Sequence, residues 1–141
     1  MTERNVALLR DWVEAFNARD VEALVALCEP RVEVHSTFAA VGGGAYHGQD
    51  GVRAWQNDLE EAWGDQIRLA PEVYLGLGEQ TLGFFVMHGR GQNSGVEVAM
   101  PNAAVTTWHE GLVVYAKAYA RRADALRDLG VSLEELEPIE P

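Results

Sequence analysis

Positive charge, cysteine and long apolar runs are what this chain has least of. Its 141 residues carry 11 Lys plus Arg against 22 Asp plus Glu, a formal net charge of −11. Such a chain repels phosphate backbones and anionic lipid, so nucleic acid and membrane surfaces are excluded as expected partners. The single cysteine, Cys28, rules out an internal disulfide and any zinc site built on several thiolates. In "VALCEP" it has no basic neighbour to lower its pKa, and it reads as a small buried hydrophobe. The opening "MTERNVALLRDWVEAF" has an early acidic residue and no long apolar run. It resembles neither a secretory signal nor a transmembrane span, and a cytoplasmic location is expected. HxH, HExxH and carboxylate clusters are missing too, so no metal is expected. "GRGQNSG" joins two strands instead of opening a helix, which denies it a dinucleotide role, and no cofactor is expected.

What is present is helical periodicity early and β-rich sequence late. A chain of this length fits one domain, 1–141, burying about two thirds of its unfolded surface around a single core. Val6, Leu9, Val13 and Phe16 recur at three and four residues and predict a helix over 3–17. "NARD" interrupts it, with Asn17 as a left-handed terminus and Asp20 as N-cap of "VEALVALC". Pro30 is expected to stop that second helix. "RVEVHS" then alternates, placing Val32, Val34 and Ser36 on one face and Glu33 and His35 on the other. "TFAAVGGGAYHG" reads as a glycine-rich loop, and Asp50 caps a third helix ending at Gly64. From Ile67 onward four β-rich runs alternate with turns at "GRGQNSG" and "HEG". Ala123 to Leu129 is a closing helical turn stopped by Gly130, and Ser132 with Glu135 forms a capping box before an acidic tail over about 131–141. The order predicts an α+β fold with helices on one face of a curved sheet.

Four stretches, "FNARDVEALVALCEPRVEV", "AYHGQDGVRAW", "GRGQNSGVEV" and "WHEGLVVYAKAY" followed by "ADALRDLG", carry a likeness to a known family. In that order they resemble the nuclear transport factor two-like superfamily, and within it the SnoaL-like group. The resemblance implies a cone-shaped half-barrel, with three N-terminal helices packed on a curved, mostly antiparallel sheet that encloses an apolar pocket. It also implies a homodimer through the outer sheet face. Relatives include polyketide cyclases, steroid isomerases, epoxide hydrolases and members without chemistry, and fold does not choose among them. The isomerase residues fall on Trp12, Ser36 and Ala104, none able to do the inherited work. The two epoxide hydrolase carboxylates fall near Ala118 and the Phe84–Phe85 pair.

If the family's parity holds, Ser36, Met100, Asn102, Thr106, Trp108 and Ala118 face inward, with Trp12, Phe16, Trp55, Gln56 and Leu59 covering them from the helices. Pro101 is a place where a bulge would turn Asn102 elsewhere. Such a wall suits a hydrophobic ligand bearing a carbonyl or hydroxyl. Histidines are the candidates for proton transfer, since their pKa lies near neutrality. His88 continues the Phe84 and Val86 face toward the pocket rim, and His35 shares the side of Glu33; these two are the candidate bases. His47 and His109 fall in turns and read as structural or solvated. Two functions are therefore expected: a cofactor-free isomerase, cyclase or hydrolase acting by acid–base chemistry on a small hydrophobic polycyclic or carbonyl-containing molecule, or a non-catalytic ligand-binding or dimerising domain of the same fold.

Overall fold

The computed structural model describes residues 2–36, 44–91, 95–136 and 138–139. Helix α1 (Thr2–Asn17) buries Val6, Leu9, Val13 and Phe16 along one stripe, as their spacing predicts. After it the left-handed residue is Arg19 (φ 61°), not Asn17. Asn17 is used differently: its carboxamide accepts from Leu69 N (2.8 Å) and donates to Leu69 O (2.9 Å), tying α1 to a strand. Asp20 caps α2 (Val21–Ala26) by accepting from Ala23 N at 3.1 Å.

Strand β1 (Cys28–His35) begins sooner than the proline rule predicts, so Cys28 and Pro30 lie in a strand and not at a helix end. The proline is tolerated because the β1 register shifts between Cys28 and Glu33, where no ladder donor is needed. Cys28 is buried, and its Sγ donates to Leu24 O. Of the expected glycine loop, residues 37–43 lie outside the described residues, while Ala45–His47 forms β2 against Glu33–His35. Helix α3 (Gly48–Trp63) follows at once and ends at Gly64, whose φ of 90° favours glycine.

Four long strands come next: β3 (Arg68–Leu77), β4 (Gln80–Arg90), β5 (Glu97–His109) and β6 (Leu112–Tyr119). Positive φ at both Glu110 (50°) and Gly111 (82°) makes the β5–β6 connection a tight hairpin whose twist matches its strands. Pro101 causes no bulge: β4 and β5 stay in register from Gln80↔Thr107 to Arg90↔Glu97. Helix α4 (Arg122–Leu129) ends in left-handed Gly130. The expected capping box is not formed, since Ser132 makes no side-chain cap and the short turn at Leu133–Glu135 closes through Glu135 N to Ser132 O. Pro138–Ile139 adds a last strand, β7, to the edge of β3.

The sheet order is β2-β1-β6-β5-β4-β3-β7, open at both edges. Among the described residues only β1 and β6 run parallel. The main core joins α1, α2 and α3 to one sheet face through residues such as Leu9, Phe16, Trp55, Val34 and Phe85. A second core sits on the other face, where Ala125 of α4 meets Leu82, Phe84, Ala103 and Val105. Side chains alternate across a strand, so Phe84 and Phe85 belong to opposite layers.

Candidate ligand cavity

Between α1, α3 and the inner sheet face lies a cavity with about 630 Å³ of empty space out to its mouth. The cavity proper is small, about 60 Å³, a slot between helices and sheet. Its roof is aromatic. Trp12 and Trp55 stack at 6.0 Å with their planes 24° apart, and Phe16 leans on Trp55 at 5.7 Å. Leu59 of α3 completes this side. The floor is made of small residues from adjacent strands, Ala104 and Ala118 opposite one another and Ala116 opposite Thr106.

Polar groups stand around that floor. Asn102 and Thr106 are 4 % and 5 % exposed, and among the described residues neither side chain has a hydrogen-bond partner. Four residues apart on one strand, their α-carbons are about 13 Å from each other. Ser36, also buried, lies across β6 from Ala104; its N–H donates to Gly44 O at 2.8 Å. Among the described residues the buried Trp55 Nε1–H has no hydrogen-bond partner, and neither has either amide atom of Gln56, the next residue.

The wall carries no free charge among the described residues. His35 and Lys117 border the cavity but alternate outward, between Val34 and Ser36 and between Ala116 and Ala118. The His35 ring lies 5.1 Å from Tyr115 and its Nε2 is 3.3 Å from Glu33 Oε2; Glu33 also meets His47 at 3.5 Å. Lys117 Nζ sits 4.8 Å over the Tyr119 ring and 3.6 Å from Asp128. No group of three or more His, Cys, Asp or Glu among the described residues could hold a metal ion.

Of the residues singled out from the sequence, Trp12, Phe16, Ser36, Trp55, Leu59, Asn102, Thr106 and Ala118 line this cavity together. Trp12, Ser36 and Ala104, the positions matched to the isomerase residues, share it. Others lie elsewhere. His88 does not border the slot, because the inward face of β4 is that of Phe85 and Met87; it lines a separate cleft with Arg68, Arg90 and Glu97. Gln56 is buried behind the wall, and Met100 packs on the core without lining the slot. Trp108 is buried with its Nε1 donating to Thr81 Oγ1 at 3.0 Å. Leu69 and Met87 are wall residues that the sequence reading missed, although strict alternation from Phe85 would have found Met87.

A helical layer closed over a curved open sheet, with an apolar slot between them, defines an α+β fold of the cone type. The chain belongs to the family of SnoaL-like domains, whose sequence model matches residues 9–116. Solved structures agree. An NTF2-like protein of unknown function from Burkholderia pseudomallei is 24 % identical, with TM-score 0.74 over 88 % of this chain and 95 % of its own. TerC, co-crystallised with polyporic acid, is 18 % identical, with TM-score 0.73 over 89 % of this chain and 97 % of its own. A putative SnoaL-like polyketide cyclase from Jannaschia is 15 % identical, with TM-score 0.73 over 89 % and 90 %. Likeness at these identities establishes the fold. No curated protein matches the sequence. No helix among the described residues is long and apolar enough to cross a membrane.

Proposed function

We propose that this chain binds a small, flat, uncharged hydrophobic molecule carrying oxygen functions at its rim, inserted between the aromatic roof and the alanine floor. The observation that carries this reading is the pairing of a narrow uncharged slot with the unpartnered side chains of Asn102 and Thr106. Aromatic and alanine surfaces favour a planar ring system, and the amide and hydroxyl supply hydrogen bonds to carbonyl or hydroxyl oxygens. A carboxylate or phosphate would enter without a counter-charge, at a large desolvation penalty. That TerC was co-crystallised with polyporic acid supports a small organic ligand for this fold.

The test is quenching of tryptophan fluorescence, with Trp12 and Trp55 in the wall as reporters. 2-Hydroxy-9-fluorenone is the planar neutral probe, set against 9-fluorenone-2-carboxylate, progesterone and tetramethylammonium. Saturable quenching by the first and none by the anion is the expected pattern; preference for a charged probe, or no response at all, sinks the reading. A second reading, cofactor-free acid–base catalysis, rests on His35, which borders the slot with a carboxylate 3.3 Å from its ring nitrogen. Product analysis on each binder separates the two: product that disappears in His35→Ala makes the chain an enzyme, and ligand recovered unchanged makes it a carrier. The family resemblance also supports a homodimer through the outer sheet face, which sedimentation equilibrium would measure.

A further inference from the structure

Arg122, at the start of α4 on the outer layer, makes contacts that reach through the sheet to the slot. Its Nε donates to Asn102 O at 3.2 Å, and its Nη2 donates to Phe85 O at 2.9 Å and to Glu72 Oε1. The guanidinium also lies 5.0 Å over the Phe84 ring. Phe85 and Asn102 are register partners on β4 and β5, and both side chains face the slot. One outer cation is therefore bonded to the backbone of two adjacent wall residues.

The sequence explains why a cation is wanted there. Pro71 stands opposite Phe85 and Pro101 opposite Val86, so prolines without an N–H flank β4 on both sides at this level. Pro71 can offer no N–H to the Phe85 carbonyl opposite it, and a guanidinium brings several donors in a fixed plane. The β3 register shifts between Pro71 and Val73, which leaves Glu72 as the extra residue and gives Arg122 its carboxylate.

We propose that Arg122, held by Glu72, is a positioning residue for the slot: by fixing the Asn102 and Phe85 carbonyls from outside, it sets the direction in which the Asn102 carboxamide meets a ligand. The proposal rests on the ligand-binding reading above, and goes beyond it by assigning part of the site's precision to a residue that never touches ligand. A lysine cannot replace it, because one ammonium lacks the planar spread of donors that spans two strands and the bulge.

The experiment is a double-mutant cycle read with 2-hydroxy-9-fluorenone, combining Arg122→Lys with Asn102→Ala, and a nitrogen–proton NMR spectrum of the Asn102 side-chain amide. Arg122→Lys should weaken binding about 5- to 10-fold in the parent and less than about 2-fold in the Asn102→Ala background, the mark of residues acting as a unit. Glu72→Gln, which keeps an acceptor for the guanidinium, should give a smaller loss of the same kind and guards against a lysine variant that fails to fold. Equal losses in both backgrounds would reduce Arg122 to a structural tie and overturn the proposal, as would an unchanged Kd. If the probe fails to bind the parent, the ligand reading falls, and the amide spectrum still decides: two sharp Asn102 signals that shift or broaden in Arg122→Lys uphold positioning, and unmoved signals refute it.

Discussion

Replacing Gln56 by methionine should make the protein more stable. Both amide atoms of Gln56 are buried without a hydrogen-bond partner, and the residue is only 4 % exposed. Burying an unpaired amide costs about 1–3 kcal/mol by mutational measurement, and methionine keeps the length of the side chain while removing both orphaned atoms. Relief of that penalty predicts stabilisation of about 1–3 kcal/mol, or roughly 3–10 °C in Tm for a domain of this size. Urea denaturation is the assay, with a higher midpoint at unchanged slope as the expected outcome. A lower midpoint would refute the reasoning, since it would mean the amide is paired in solution. The same variant should bind 2-hydroxy-9-fluorenone as the parent does, because Gln56 lies behind the wall and not in it.

Ala104→Leu should fill the floor of the slot and abolish probe binding, with circular dichroism confirming that the fold survives. Asn17→Ala removes both hydrogen bonds to Leu69 and should cost about 2 kcal/mol in urea melts. Burial pushes the Cys28 thiol up to about 12, so the thiol should resist disulfide reagents at pH 8 while the chain is folded. An unfolded thiol ionises from about pH 8.5, and the unfolded state then binds fewer protons than the folded one. Stability should therefore fall as pH rises from about 8.5 towards 12, and less steeply in Cys28→Ala, as urea midpoints across that range will read.

The helices and their order were legible because apolar spacing is a local signal: the stripe of Val6, Leu9, Val13 and Phe16 needs no knowledge of its partner. So was the alternation that puts Ser36, Asn102 and Thr106 in one wall. The direction of His88 is not legible locally, because the inward face of β4 is set by its neighbours. Phe84 and Phe85 are equally apolar, and only the packing of α4 on one side and α1 on the other assigns them to different layers. Cys28 and Pro30 look like a helix end in sequence, since nothing local announces that β1 begins in an irregular stretch against β6. Arg122 carried no signal in sequence at all. Its partners come from three strands, and one of them, the Phe85 carbonyl, stands opposite a proline that is far from Arg122 along the chain.

The single parallel pair in the sheet imposes an order on synthesis. Cys28 is matched to Val113, so about eighty-five residues must be added before β1 meets its neighbour in the sheet centre. At roughly 5–20 residues per second, β1 waits for several seconds on the ribosome before this neighbour is made. Strands β3 to β6 form a meander of sequential neighbours and can pair as they emerge, since short loops close at little entropic cost. The floor of the slot is thus completed last, when β6 brings Ala116 and Ala118 between β1 and β5, and until then Trp12 and Trp55 face an unfinished wall.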